Sequence, residues 1–164
     1  MTNEVIFRPI GHIRSPFASR GEAPRQAALA REVEAVIEVL PELQEGLDDL
    51  DGFSHIIILY HLHLSQGFEL KVVPPVDTKE RGLFASRGPR RPNSIGLAVV
   101  KLERVEENRV FIRGVDMLNG TPVLDIKPYI PDLDSRPDAT TGWVAETTQS
   151  LGVTKTPEPY IEED

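Results

Sequence analysis

Strand-like runs dominate this chain, and in one of them apolar and polar positions alternate with the period of two that a half-buried strand imposes. The stretch Glu32-Val33-Glu34-Ala35-Val36-Ile37-Glu38-Val39 is the clearest case and predicts a strand over residues 33–40. Runs at 7–14, 53–62, 70–73, 95–105, 109–115 and 123–126 read as further strands, with turn residues between nearly all of them. Residues 53–60 are apolar nearly throughout and are expected to lie deeper than the rest. On the run 95–105, Leu97 and Val99 oppose Ala98, Val100 and Leu102, so both faces are mostly apolar. One face then belongs on the core and the other under a loop or a partner subunit, which points to a dimer.

Helical signals are sparse: a short segment at 26–31, a single turn at 47–50 and a stretch at 142–150. Glu106-Glu107-Asn108 joins two strand-like runs and reads as a hairpin turn. Many short strands with few helices predict a mainly all-β fold, a small closed β-barrel. Pro131, Pro137, Pro157 and Pro159 interrupt the pattern late in the chain. The barrel domain is therefore expected over residues 1–134, followed by an extended, mostly irregular C-terminal tail over 135–164 that Trp143 pins down.

Composition narrows the functional classes. A chain of 164 residues that is 40% hydrophobic has enough apolar material for one core. Its net charge of -8 argues against coating nucleic acid or anionic membrane by bulk charge, so any RNA contact must use a local patch. The absence of cysteine excludes disulfides and thiolate metal sites. No leader-like or membrane-spanning apolar run occurs, and the expectation is a soluble, cytoplasmic protein.

Against the acidic background, Gly82 to Gly96 concentrates Arg87, Arg90 and Arg91 among prolines and glycines, a poor core and a good site for an anionic or hydrogen-bond-rich ligand. The loop after Gly11-His12-Ile13-Arg14-Ser15-Pro16-Phe17 ends in Pro24-Arg25-Gln26, and reads either as a ligand loop or as a surface connection. His61 and His63 share a strand face with His55 upstream, but no third ligand stands at metal spacing, and no metal is expected. Asn119-Gly120 within Asp116–Pro122 is a turn signal, sufficient in itself for a hairpin, and Asp125 with Lys127 reads as an ion pair on one strand face. No nucleophile elbow, Walker loop or dinucleotide fingerprint is present.

Three motifs in this order, Asp51-Gly52-Phe53-Ser54-His55-Ile56, the segment Phe84 to Gly96, and Gly120-Thr121-Pro122-Val123-Leu124-Asp125-Ile126-Lys127-Pro128-Tyr129, make the chain resemble the TsaA-like (YaeB/TrmO) family of S-adenosylmethionine-dependent tRNA methyltransferases. The resemblance covers residues 10–134. It implies a small β-barrel that works as a homodimer and N6-methylates threonylcarbamoyladenosine, the tRNA nucleoside immediately 3′ of the anticodon. It also implies cofactor contacts at Pro24, Arg25, Gln26, His63, Leu64, Arg87, Leu97, Met117, Leu118, Asn119, Gly120 and Thr121. Arg90, Arg91, Asn93, Lys127 and Tyr129 are candidates for the RNA side, and no catalytic base is assigned. The chain departs from the family pattern at Ser94, where proline is usual, and at Asn119, where aspartate is usual. Alternatives are a non-catalytic S-adenosylmethionine- or nucleotide-binding sensor or RNA-binding module, and methyl transfer to another substrate.

Overall fold

The structure, a computed structural model, describes residues 3–19, 21, 22, 30–75 and 77–150. These fall into two compact units, one drawn from the spans Met1–Phe68 and Pro89–Asp134, the other from Glu69–Gly88 and the chain from Ser135 onward. The first unit holds six strands: β1 (Gly11–Arg14), β2 (Glu34–Val39), β3 (His55–His61), β6 (Ile95–Glu106), β7 (Arg109–Arg113) and β8 (Pro122–Pro128). They close into an antiparallel barrel in the order β1-β2-β7-β6-β3-β8. The second unit contains the two-stranded sheet β4 (Lys71–Val72) with β5 (Arg81–Gly82), and a helix at Trp143–Ser150. No described helix is long and apolar enough to cross a membrane.

Alternation builds the barrel core. Ile13, Ile37, Ile56, Ile58, Val110, Ile112 and Val123 are each fully buried, and the residues between them in the strands face outward. Burying one aliphatic side chain of this size contributes about 2 kcal/mol before entropy is subtracted, so the inward row dominates the barrel's stability. β2 keeps the strict alternation its sequence announces. The greater depth expected for 53–60 is found only at alternate positions of β3: Ile56 and Ile58 are buried, Ile57 and Leu59 only half-buried, and Phe53 lies outside the strand and exposed. An unbroken apolar run here serves two environments, the core inside and a partly covered wall outside.

Other boundaries move for identifiable reasons. The first strand spans only Gly11–Arg14, because Gly11 is where pairing with Val39 and Val123 begins; Val5, Ile6 and Phe7 are exposed. The turn expected at 47–50 is instead a 3-10 helix at Pro41–Leu47, which Pro41 starts, and a second at Leu50–Gly52. Leu47 and Leu50 from these segments are buried against the barrel core. At the β6–β7 hairpin, Glu107 takes φ 55 and Asn108 bonds back to the Val39 carbonyl through its side-chain nitrogen at 2.6 Å.

In the second unit the indole Nε1 of Trp143 donates to the Ala85 carbonyl at 2.8 Å, and the Arg81 guanidinium lies 5.1 Å from the ring centroid. Trp143 thus ties the start of its helix to the segment after β5, as the sequence suggests. Arg81 is itself held by Asp77 at 2.8 Å.

Candidate active site

Strand direction decides where a ligand site can form. β3 ends, β6 begins and β8 begins at one end of the barrel, because Tyr60 pairs with both Gly96 and Val123. β1 ends, β2 begins and β7 ends there too. The connections β1–β2, β3–β6 and β7–β8 therefore all leave and return at this end. The opposite end is closed by the 3-10 segments between β2 and β3 and by the β6–β7 hairpin.

The β7–β8 connection carries the Asn-Gly turn. The turn does not close a hairpin, since β7 and β8 are not neighbours in the sheet. Thr121 N donates to the Leu118 carbonyl at 3.1 Å, and Gly120 sits between them at φ 82, a conformation that favours glycine. The turn is laced to the end of β1: Asn119 N donates to the Phe17 carbonyl at 2.7 Å, Gly120 N to the Ile13 carbonyl at 2.8 Å, and Ile13 N to the Thr121 carbonyl at 2.9 Å. Ser15 Oγ donates to the Met117 carbonyl at 2.7 Å, and Ser15 N to Asn119 Oδ1 at 3.3 Å. Met117 and Thr121 are buried while Asn119 is exposed, so the turn is anchored beneath and open above.

Of the residues expected on the cofactor side, the structure brings Met117, Leu118, Asn119, Gly120 and Thr121 to this end. His63 and Leu64 follow β3 there, and Leu97 opens outward on β6 opposite Leu59. Leu64 and Leu97 are more than half exposed, at 56% and 55%, so both leave apolar surface open at this end. Pro24, Arg25 and Gln26 lie outside the described residues. Arg87 belongs to the second unit and is exposed.

The residues expected on the RNA side separate into two groups. Arg90 and Asn93 are exposed and Arg91 half-buried, all in the segment leading into β6 at the site end. Lys127 and Tyr129 lie at the other end of β8, about 20 Å from the turn by strand rise. Lys127 pairs with Asp125 at 2.8 Å, the expected ion pair, and the Tyr129 ring packs edge-on against His55 at 6.4 Å. His55 in turn bonds Ser54 through Nδ1 at 2.9 Å, and no metal-holding group of three or more His, Asp or Glu exists among the described residues.

Charge on the barrel wall is largely self-neutralised. Arg113 bridges Glu103 at 2.9 Å, Glu34 at 2.6 Å and Glu32 at 3.4 Å, while Arg14 holds Glu38 and Arg104 holds Glu106. Arg90, by contrast, is paired with no carboxylate among the described residues, which leaves it available to an anionic ligand.

Tyr60 and Asp116 escape the sequence reading. Tyr60 packs on the core at the last inward position of β3, and its ring occupies the space a β-carbon on Gly96 would need, with Cδ2 at 2.9 Å from that position. Burial pushes the phenol up to about 12, and the Asp116 carboxylate adds to the shift. The glycine at 96, directly across from an aromatic on the neighbouring strand, is the sequence signal that points to a close approach.

The chain forms a small antiparallel barrel with the loop-built candidate site at one end. The sequence pattern of the tRNA-methyltransferase O N-terminal domain matches residues 12–135, and the chain belongs to that family. A Pyrococcus abyssi relative named "Probable S-adenosyl-L-methionine-binding protein" is 45% identical over 147 residues, 90% of this chain and 80% of the relative. The rat tRNA (adenine(37)-N6)-methyltransferase is 39% identical over 141 residues, 82% of this chain but only 33% of the rat protein. The crystal structure of TrmO from Pseudomonas aeruginosa superimposes with a TM-score of 0.71 at 40% identity, covering 87% of this chain and 62% of that one.

Proposed function

We propose that this chain is an S-adenosylmethionine-dependent methyltransferase that acts on tRNA, placing a methyl group on N6 of an adenosine, and that its substrate is threonylcarbamoyladenosine immediately 3′ of the anticodon. The observation that supports it most is the convergence of three connections on one barrel end, in a chain whose relatives are named for S-adenosylmethionine binding and for adenine-N6 methylation of tRNA. The bound donor supplies a methyl group on a sulfonium: the N6–C bond forms as the C–S bond breaks, its electron pair going to sulfur and the N6 proton to solvent. Acylation of N6 makes that proton acidic, so the protein's main task is alignment. Backbone groups around Leu118–Thr121 and the apolar Leu64 and Leu97 hold the donor, while Arg90, Arg91 and Asn93 meet phosphate or the threonyl carboxylate. Exposed Ile95, Leu97 and Val99 on the outer face of β6 favour a homodimer through that wall, working in the cytoplasm.

The test is incubation of the purified chain with methyl-labelled donor and tRNA bearing the threonylcarbamoyl group. Label on the modified adenosine is expected; its absence, with donor binding intact, overturns the activity. A second reading, a donor-binding module without transfer, draws on the archaeal relatives, two of which this chain spans to 95% and 93% of their length and which are named only for binding.

A further inference from the structure

The barrel seam between β1 and β8 is short at the end away from the candidate site. β1 pairs with β8 only where Gly11 stands opposite Val123 and His12 opposite Pro122, whereas β8 runs on to Pro128, paired on its other side with Ile56 of β3. Along this edge the Ile126 amide donates not to a strand but to the neighbouring Asp125 Oδ1 at 3.0 Å. Beside it lies a groove of about 510 Å³, lined by Ile126 and Pro128 and by Leu43 and Phe53, which stay 42% and 36% exposed. Five carboxylates and no cation line it among the described residues. Ile10 lines it too and is clamped there, its N–H donating to the Val123 carbonyl and its carbonyl accepting from Leu40 N, both at 2.8 Å. The residues just before Ile10 carry the complementary surface: Val5, Ile6 and Phe7 are 71%, 77% and 64% exposed, and Arg8 and Pro9 are exposed as well. Val-Ile-Phe favours a strand, and Pro9 keeps Arg8 extended.

Length and charge match across the seam. Residues 5–9 reach about 17 Å when extended, and β8 from Val123 to Pro128 spans about 17 Å by strand rise. Gly11 and Ile13 are the buried positions of β1, so the same period of two turns Phe7 and Val5 inward and leaves Arg8 outward at the acidic rim. We propose that residues 5–9 form a strap that closes this groove: it extends β1 along the open edge of β8, seats Val5 and Phe7 over Leu43 and Phe53, and brings Arg8 to the carboxylates. Tethering selects this occupant, because a segment anchored on the groove's own wall has an effective concentration on the order of millimolar. A second copy brings its own net charge of -8 and is the poorer match. The structure records the strap open; closing it covers apolar surface on both sides at the cost of ordering a short segment.

The chain contains no cysteine, so the pair Val5→Cys and Leu43→Cys reports the contact without background. Under mild oxidation a disulfide within single chains is expected, seen as a faster-migrating monomer on a non-reducing gel. Adding Phe7→Glu is expected to slow the crosslink at least about fivefold, and adding Arg8→Glu about twofold at low salt, an effect that fades as salt screens it. Matching thermal melts establish that the variants are folded. A crosslink that does not form, or that forms equally fast with Phe7→Glu, overturns the strap. Disulfide-linked dimers in place of the internal bond assign the groove to a second copy and overturn it equally. Hydrogen exchange of the unsubstituted chain gives an independent reading: the amides of Ile6, Phe7 and Arg8 are expected to exchange at least about tenfold more slowly than in a free peptide of the same sequence. Exchange at the free-peptide rate overturns closure. None of these outcomes depends on methyl transfer, so the proposed function stands or falls separately.

Discussion

Ser15 and Met117, 102 positions apart, are joined by a hydrogen bond of 2.7 Å from the serine hydroxyl to the methionine carbonyl. The bond fastens the β7–β8 turn to the point where the chain leaves β1, so two of the three connections at the site end are mechanically one. Ser15→Ala is expected to cost about 1 kcal/mol of stability, since it removes the donor and leaves a partly buried carbonyl to solvent. It is also expected to weaken donor binding severalfold by loosening Leu118–Thr121. Denaturant unfolding paired with calorimetry measures both, and an unchanged affinity would separate the turn from the ligand.

Gly96→Ala drives a methyl group into the Tyr60 ring, and a destabilisation of about 2 kcal/mol is expected. Tyr60→Ala removes the obstacle at its own cost in core packing. The double variant should therefore be more stable than the sum of the single losses implies, by about 1 kcal/mol. Thermal unfolding of the four proteins gives the coupling, and strict additivity would show that the ring moves aside freely.

The phenol of Tyr60 also predicts how stability responds to alkali. Its folded value of about 12 stands above the unfolded value of 10.0, so the folded state holds the proton more tightly. The stability this provides is fully present below pH 10 and is lost as pH rises through 12. Wild type should lose more stability across that window than Tyr60→Phe, which has no proton to lose. Phenolate absorbance followed alongside unfolding at each pH tests it; parallel curves for the two proteins would refute the assignment.

Much of the barrel could be read from residues alone, because period-two alternation in β2 encodes a one-sided strand directly and turn residues bound the other strand-like runs. The 3-10 segments at Pro41–Leu47 and Leu50–Gly52 could not: their two buried leucines carry no periodic signature over so short a span. The Asn119-Gly120 turn was legible as a turn, but its role as a bridge across the barrel end depends on β7 and β8 having different neighbours, which local sequence does not specify. For Tyr60 the difficulty is similar. It sits among apolar residues and looks like core, and only its register with Gly96 and Val123 places it at the rim.

Arg90 gives a direct prediction for RNA. Arg90→Ala should weaken tRNA binding and reduce the salt slope of the binding constant by about 1, whereas removing Lys127, already paired with Asp125 at the far end, should change it little. Filter binding at several salt concentrations distinguishes the two. Equal effects of both substitutions would mean that the RNA path reaches from the segment before β6 to the far end of β8.

The far end of the barrel holds a groove of about 510 Å³ whose walls include Glu42, Glu45, Asp48, Asp49 and Asp125, while arginines stand at the end where the connections meet. The acidic groove and the Arg90 segment thus lie at opposite ends of the barrel. For the RNA partner proposed above, the groove would repel phosphates and the arginine-bearing end would draw them, so that a chain of net charge -8 could still meet a polyanion end-on.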